Sequence, residues 1–400
     1  MLSTVAAFRS RDFSVFWGST ALAFVAAQIQ ILVMAWMAYD ITRSAYLLSI
    51  YTAAGLIPML LGPYIGFLAE RFNRIRLLVG TQALFVAVNL TVALLAVTGA
   101  IEFWHLVVAG FLAGITQFPM MPARNTLVMD MVPREQLPNA MALSLIAMLG
   151  SQAVAPLMGG FMLGAWGVGP ALTVAAVGGA LGLVFLLLVK KKDTRAQVAS
   201  GSPFGEVARG FALAFKNRPI LLVLIITVLA NVCVFASFMT FMPVFARDVL
   251  HVGPDGLGAL QAVFGLGSLV GSMAIASLGD LSWKGKLYVG GTAGAGLMYG
   301  FFALSNSFPV SLGLLFLTGF ISSGFAVMQS TLILLLSPPE ARGRITGVLM
   351  VAIGTQPFAA YALGIVAGGT GVQTASAVIA FGLFLSVTAM YALTPSLRKL

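Results

Sequence analysis

The residues best placed to do chemistry are charges and amides set in apolar surroundings. Residues 66–76 read Gly66-Phe67-Leu68-Ala69-Glu70-Arg71-Phe72-Asn73-Arg74-Ile75-Arg76, one acid and four bases-or-amide neighbours pinched between two long hydrophobic runs. Charge of that density does not dissolve in hydrocarbon, so this stretch marks a short aqueous turn between two membrane helices. Arg124 differs, because it alone among the basic residues lies well inside an apolar run, where an ionised group is costly and needs a partner. At 1.5 Å per residue it stands roughly 10 Å from the middle of its run. Two uses fit it: an inner-gate arginine satisfied by helix carbonyls or by Asp130, or a direct contact to a bound molecule. Gln28, Gln117, Gln152, Asn231 and Gln356 fall near the midpoints of separate runs, with Ser322 and Ser323 at the same level of another. Any one alone reads as glue between helices. Several hydrogen-bonding groups at one depth on different helices are what a central polar cavity requires.

Other chemistry is excluded. There is no Walker A loop, no cluster of zinc ligands and no nucleophile constellation, so no catalytic residue, metal, cofactor or enzymatic activity is expected. Cys233 is the single cysteine, which rules out an intrachain disulfide. His105 and His251 read as ordinary surface histidines.

The elements that must position these groups follow from composition. With 60% hydrophobic and 8% charged residues, the 400-residue chain cannot bury its apolar surface in water. It reads as an all-α membrane protein, with spans of roughly 20–25 residues between charged turns and room for twelve of them. The net charge of +10 argues for topology and against nucleic acid. Of the 22 Lys and Arg, 19 fall on one set of turns, two (Arg43 and Arg247) on the other, and Arg124 lies within a span. That bias places both termini in the cytoplasm of a multi-pass protein of the inner (plasma) membrane. The apolar run after Arg9 and Arg11 is too long for a signal-peptide core and is kept as span 1.

The turn after span 4, MDMVPREQLPNAMAL, returns in altered form after span 10 as LLLSPPEARGRITGV. An offset of 205 pairs Pro133 and Glu135 with Pro338 and Glu340, and Gly62 and Gly66 with Gly267 and Gly271. The same offset gives Arg124 the mate Gln329. Two pseudo-symmetric six-helix halves, 1–189 and 219–400, are therefore expected, joined by a cytoplasmic linker over 190–218. Phe204, Val207, Phe211 and Phe215 fall near one helical face of that linker, the pattern of a helix lying in the membrane interface.

From end to end this organisation resembles the major facilitator superfamily of secondary transporters. Gly66, Glu70, Arg71 and Arg74 resemble the signature loop between its helices 2 and 3, with Glu70 where the family usually has Asp and Asn73 where it usually has Gly. FRSRDFSVFW, YDITRSA and PARNTLVMDMVPREQLPNAMAL look like the branch holding enterobactin exporters and macrolide-efflux proteins. The resemblance implies that Glu70, Arg71 and Arg74 bind Asp130 and the start of span 11, latching the cytoplasmic side when the opposite side is open. Ala155, Pro156, Gly159 and Gly160 resemble the G-P-x-x-G-G element of antiporters, with Ala155 replacing its first glycine. That element implies tight packing of span 5 on a neighbour. The function implied is a monomeric secondary transporter in the lipid bilayer that exports a small amphiphilic substrate, siderophore-like, macrolide-like or another drug, by alternating access coupled to a proton or sodium gradient. No carboxylate lies near the middle of a span, so a neutral, zwitterionic or anionic amphiphile is the expected cargo. The alternatives are a lysophospholipid-type importer or flippase and a non-transporting receptor or assembly factor.

Overall fold

An apolar chain without water to satisfy its backbone must close each N–H onto a carbonyl of its own helix. The computed structural model describes residues 6–61, 73–117, 120–190, 203–279 and 281–395, and these form helices joined by short turns, with no strand among them. Among the described residues ten helices are long and apolar enough to cross a membrane, and two shorter apolar helices, Ala45–Leu60 and Phe103–Gln117, stand where spans 2 and 4 are expected.

Before the linker come α1 (Arg11–Thr42), α2 (Ala45–Leu56), α3 (Arg74–Val97), α4 (Phe103–Gln117), α5 (Met120–Met131), α6 (Leu137–Trp166) and α7 (Val168–Leu187). The linker holds α8 (Pro203–Lys216). After it, α9 (Arg218–Ala230), a π-helical turn (Asn231–Phe235), α10 (Ala236–Val244) and a second π turn (Phe245–Val249) run on as one span. The rest are α11 (Pro254–Ser277), α12 (Lys284–Leu304), α13 (Phe308–Leu336), α14 (Arg342–Ile353), α15 (Gln356–Thr370) and α16 (Val372–Leu393).

Capping residues set the ends. Ser10, Ser44 and Asn217 each accept from a backbone N–H in the first turn of α1, α2 and α9. Asn73 does the same for α3, its side chain accepting from the Arg76 N–H at 2.9 Å. The departure from the family's usual glycine therefore has a local cause, since asparagine starts the helix more firmly. The turns collect Arg9, Arg11, Arg74, Arg134, Lys190, Lys284 and Arg342 at one end of the bundle, the basic end. Asp40, Arg43, Glu102, Arg247 and Asp248 gather at the far end.

Within the first half α1 packs on α6 and α7, and α3 on α7; within the second α11 packs on α13, and α12 on α13 and α16. Among the described residues the halves meet chiefly along two seams, α2 against α15 and α6 against α11, with smaller contacts of α10 on α1 and α2. Small residues make the second seam close. A Cβ on Gly258 would stand 2.4 Å from the Pro156 carbonyl oxygen, and one on Gly265 2.4 Å from that of Gln152. Pro156 has no N–H to give the Gln152 carbonyl one turn back, and Gly265 lets α11 approach that freed oxygen. Among the described residues, α5, α14 and the 3₁₀ turns Arg134–Gln136 and Pro339–Ala341 at the basic end pack within their own half. The linker helix sits on the second half: Ala214 is buried, and Gly210 lies against the Arg344 carbonyl of α14. Phe211 and Phe215 stack at 6.4 Å on its exposed side, while the side chains of Phe204 and Val207 lie outside the described residues.

Candidate substrate cavity and gates

A cavity of 220 Å³ opens between α1, α2 and α4, closed on one side by Met239 of α10. Gln30 and Gln117 are its amides. Gln30 is 1% exposed, and neither its Nε2 nor its Oε1 has a hydrogen-bond partner; the Gln117 Nε2 also lacks one. Buried amides are normally paired, so these two hold hydrogen-bonding capacity for a molecule in the cavity. Gln28, the expected residue of this helix, is half-buried and does not line the cavity. Two residues along a helix turn the side chain about 200°, and the lining face belongs to Gln30. A signal was present: Ala23, Ala27, Gln30 and Met34 recur at helical spacing and are all buried.

Two other expected amides, Gln356 and Asn231, bind one another. Gln356 at the start of α15 donates to Asn231 Oδ1 at 2.7 Å, and Asn231 Nδ2 donates to the Thr227 carbonyl at 2.8 Å. The interruption of the span at Gly354-Thr355 and the π turn at Asn231 bring these two together. Ser322 and Ser323 donate back to Gly319 and Phe320 of the same helix at 2.9 and 2.6 Å. Gln152 is half-buried on α6. The polar groups near this level thus divide into an open pair, Gln30 and the expected Gln117, and a closed set, Asn231, Gln356, Ser322 and Ser323.

Arg124 lies on α5, 3% exposed, beside a second cavity of 320 Å³ lined by α1, α5 and α6. Its Nη1 donates to Thr20 Oγ1 at 2.5 Å, and the guanidinium carbon is 5.6 Å from the Phe16 ring centre. Asp130 is not its partner, which corrects that expectation: Asp130 pairs with Arg74 at 3.3 Å. Six residues on a helix rotate the side chain some 240° away, so Arg124 and Asp130 face apart.

The expected pairing of Arg74 with Asp130 is present. Arg74 and Asp130 both belong to the first half, so rocking one half against the other does not break their pair. Gly66, Glu70 and Arg71 lie outside the described residues. At the far end polar links cross between halves. Arg247 donates to Asp40, the Tyr39 hydroxyl donates to Asp248, and Arg247 lies 5.4 Å over the Trp36 ring. Tyr46 and Tyr361 approach at 3.4 Å between hydroxyls. This cluster was missed from the sequence, although opposite charges at the ends of α1 and of the 218–249 span were its signal. The element on α6 lies where three helices meet: Ala155 is fully buried, a Cβ on Gly159 would stand 3.3 Å from Ile29 Cα, and Pro156 and Gly160 face α11.

Residues 16–351 match the model of the Major Facilitator Superfamily. Macrolide efflux protein A of Streptococcus pyogenes is 22% identical over 271 residues, 67% of either chain. Enterobactin exporter EntS of Escherichia coli is 26% identical over 358 residues, 87% of this chain and 82% of that one. Among solved structures, a POT family transporter in complex with 5-aminolevulinic acid superposes with a TM-score of 0.77 at 13% identity, over 98% of this chain and 97% of the other. A bacterial homologue of the human lysosomal transporter Spinster, inward-facing and unoccupied, gives 0.71 at 14% identity over 98% and 96%. Helical halves meeting on two seams around buried amides, together with a family match over most of its length, make this chain a member of the Major Facilitator Superfamily, a multi-pass membrane transporter of small molecules and not an enzyme.

Proposed function

We propose that the protein is a monomeric exporter of an amphiphilic small molecule in the inner (plasma) membrane, with its basic end and both termini in the cytoplasm, driven by a proton or sodium gradient. One observation carries this reading: the far end is bridged between halves by Arg247–Asp40 and Tyr39–Asp248, while among the described residues α5 and α14 at the basic end pack on helices of their own half. With the basic end inside, that is an inward-facing geometry, the state in which an exporter loads. The unpaired amides of Gln30 and Gln117 supply orientation, and the apolar residues around them accept a hydrophobic body. Opening the far end breaks its polar links while the seams at Gly258 and Gly265 act as the fulcrum. The efflux activities in the names of the two relatives agree with this direction.

The test is transport by purified protein in liposomes, against a labelled panel of siderophores, macrolides and lysophospholipids, with proton and sodium gradients imposed in both directions. Gradient-driven efflux of a siderophore or macrolide is expected. Movement of lysophospholipids alone would assign the chain to lipid import or flipping. A reporter fused after Val252 should read external and one after Lys192 cytoplasmic.

A further inference from the structure

Arg124 is a buried cation whose donors are only partly used. Nη1 is taken by Thr20, while Nε and Nη2 have no partner. Those two nitrogens share one edge of the guanidinium, and their N–H groups run parallel, the fork that grips both oxygens of a carboxylate or similar oxyanion. The cavity beside them is otherwise made of Phe16, Phe24, Val128, Met141, Leu145 and Met148 with a few small polar groups, and among the described residues no acid lines it. A charge in such a place is costly until an opposite charge joins it.

The duplicated half is an internal control. There Gln329, the mate of Arg124, donates to Thr227 at 3.0 Å, as Arg124 does to Thr20. Thr227 also meets the Tyr288 hydroxyl at 2.9 Å, and Tyr288 donates to the Val223 carbonyl at 2.8 Å. A neutral amide is therefore enough to tie these two helices together. The first half makes the same tie with a residue that leaves two buried charged donors over, on a side chain that lines a cavity.

We infer that the cavity at Arg124 is a subsite for the oxyanion of an amphiphilic substrate, held side-on by Nε and Nη2, with the substrate's apolar part against Met141, Leu145 and Met148. The inference rests on the transport reading above and narrows its substrate class to anionic amphiphiles. Binding, measured without transport, separates the two. The probes are dansylaminoundecanoic acid and its methyl ester, titrated against the full chain in phosphatidylcholine nanodiscs. The native protein should bind the acid about 10–100-fold more tightly than the ester, the worth of a charged hydrogen-bonded pair. Arg124→Gln, which copies the other half, should abolish that preference while leaving ester affinity and thermal stability in place. Arg124→Lys keeps the charge without the fork and should retain only part of it. Equal affinity of the native protein for acid and ester overturns the inference, as does a preference that survives Arg124→Gln. Loss of the preference in discs containing phosphatidylglycerol also overturns it, by assigning the cavity to lipid headgroups. Failure of every compound to move in liposomes would instead sink the transport reading and leave the binding result standing.

Discussion

The far-end gate offers the sharpest test of how the protein selects its conformation. Arg247 makes two contacts across the halves, an ion pair to Asp40 and a cation–π contact over Trp36. The side chains of Arg247 and Asp40 are 24% and 47% exposed, so solvent screens the pair and its worth is about 0.5–1 kcal/mol. The contact to Trp36 adds a further ~0.5–1 kcal/mol. Arg247→Gln removes both, about 1–2 kcal/mol that exists only with the far end closed, and should raise the open-to-closed ratio roughly 5–30-fold. Spin labels on Ala100 and Thr370, both exposed and on opposite halves, read the change as a distance distribution, after the single Cys233 is replaced by alanine. The longer-distance population should grow in Arg247→Gln, grow further with Tyr39→Phe, and respond to salt less than in the native protein, because salt has less left to screen. Identical distributions for native protein and Arg247→Gln, at low and high salt alike, would refute the reasoning: the far end would then be held shut by the helix seams alone.

Gln30→Leu should change substrate affinity or selection with stability kept or improved, because an unpaired buried amide is removed, whereas Gln28→Leu should be near neutral; ligand binding and thermal melts on both variants check this. Gly258→Val places carbon atoms where the Pro156 carbonyl lies at 2.4 Å from the first of them, so the α6–α11 seam must part; transport should be lost and the melting temperature lowered, with membrane insertion retained. Asp130→Asn should cost no more than about 1 kcal/mol of stability, since its pair with Arg74 is partly solvent-exposed, and should leave the spin-label distances at the far end unchanged. A marked shift in those distances would restore Arg74–Asp130 to the role of a latch between halves.

What can be read along the chain is whatever a residue carries with it wherever its helix lies. Hydrocarbon rejects charge, so apolar runs and charged turns mark the helices and the bias of basic residues between turns. Similar residues recur at a fixed offset, and the small residues around Pro156 announce a close seam before its partner is known. Partners are another matter. Asp40 and Arg247 are 207 residues apart, and Gln356 and Asn231 125 apart, so nothing local ties either pair. Which amide faces the cavity turns on the rotation of α1, which separates Gln30 from Gln28 by more than half a turn. Likewise Asp130 pairs with Arg74 and not with Arg124 because of the angle between them on α5. The chain alone selects membrane helices, their number of basic turns and their repeat, because solvation acts on each residue singly; the pairing of polar groups belongs to the packed bundle, because a hydrogen bond depends on two helices and the angle at which each presents its side chain.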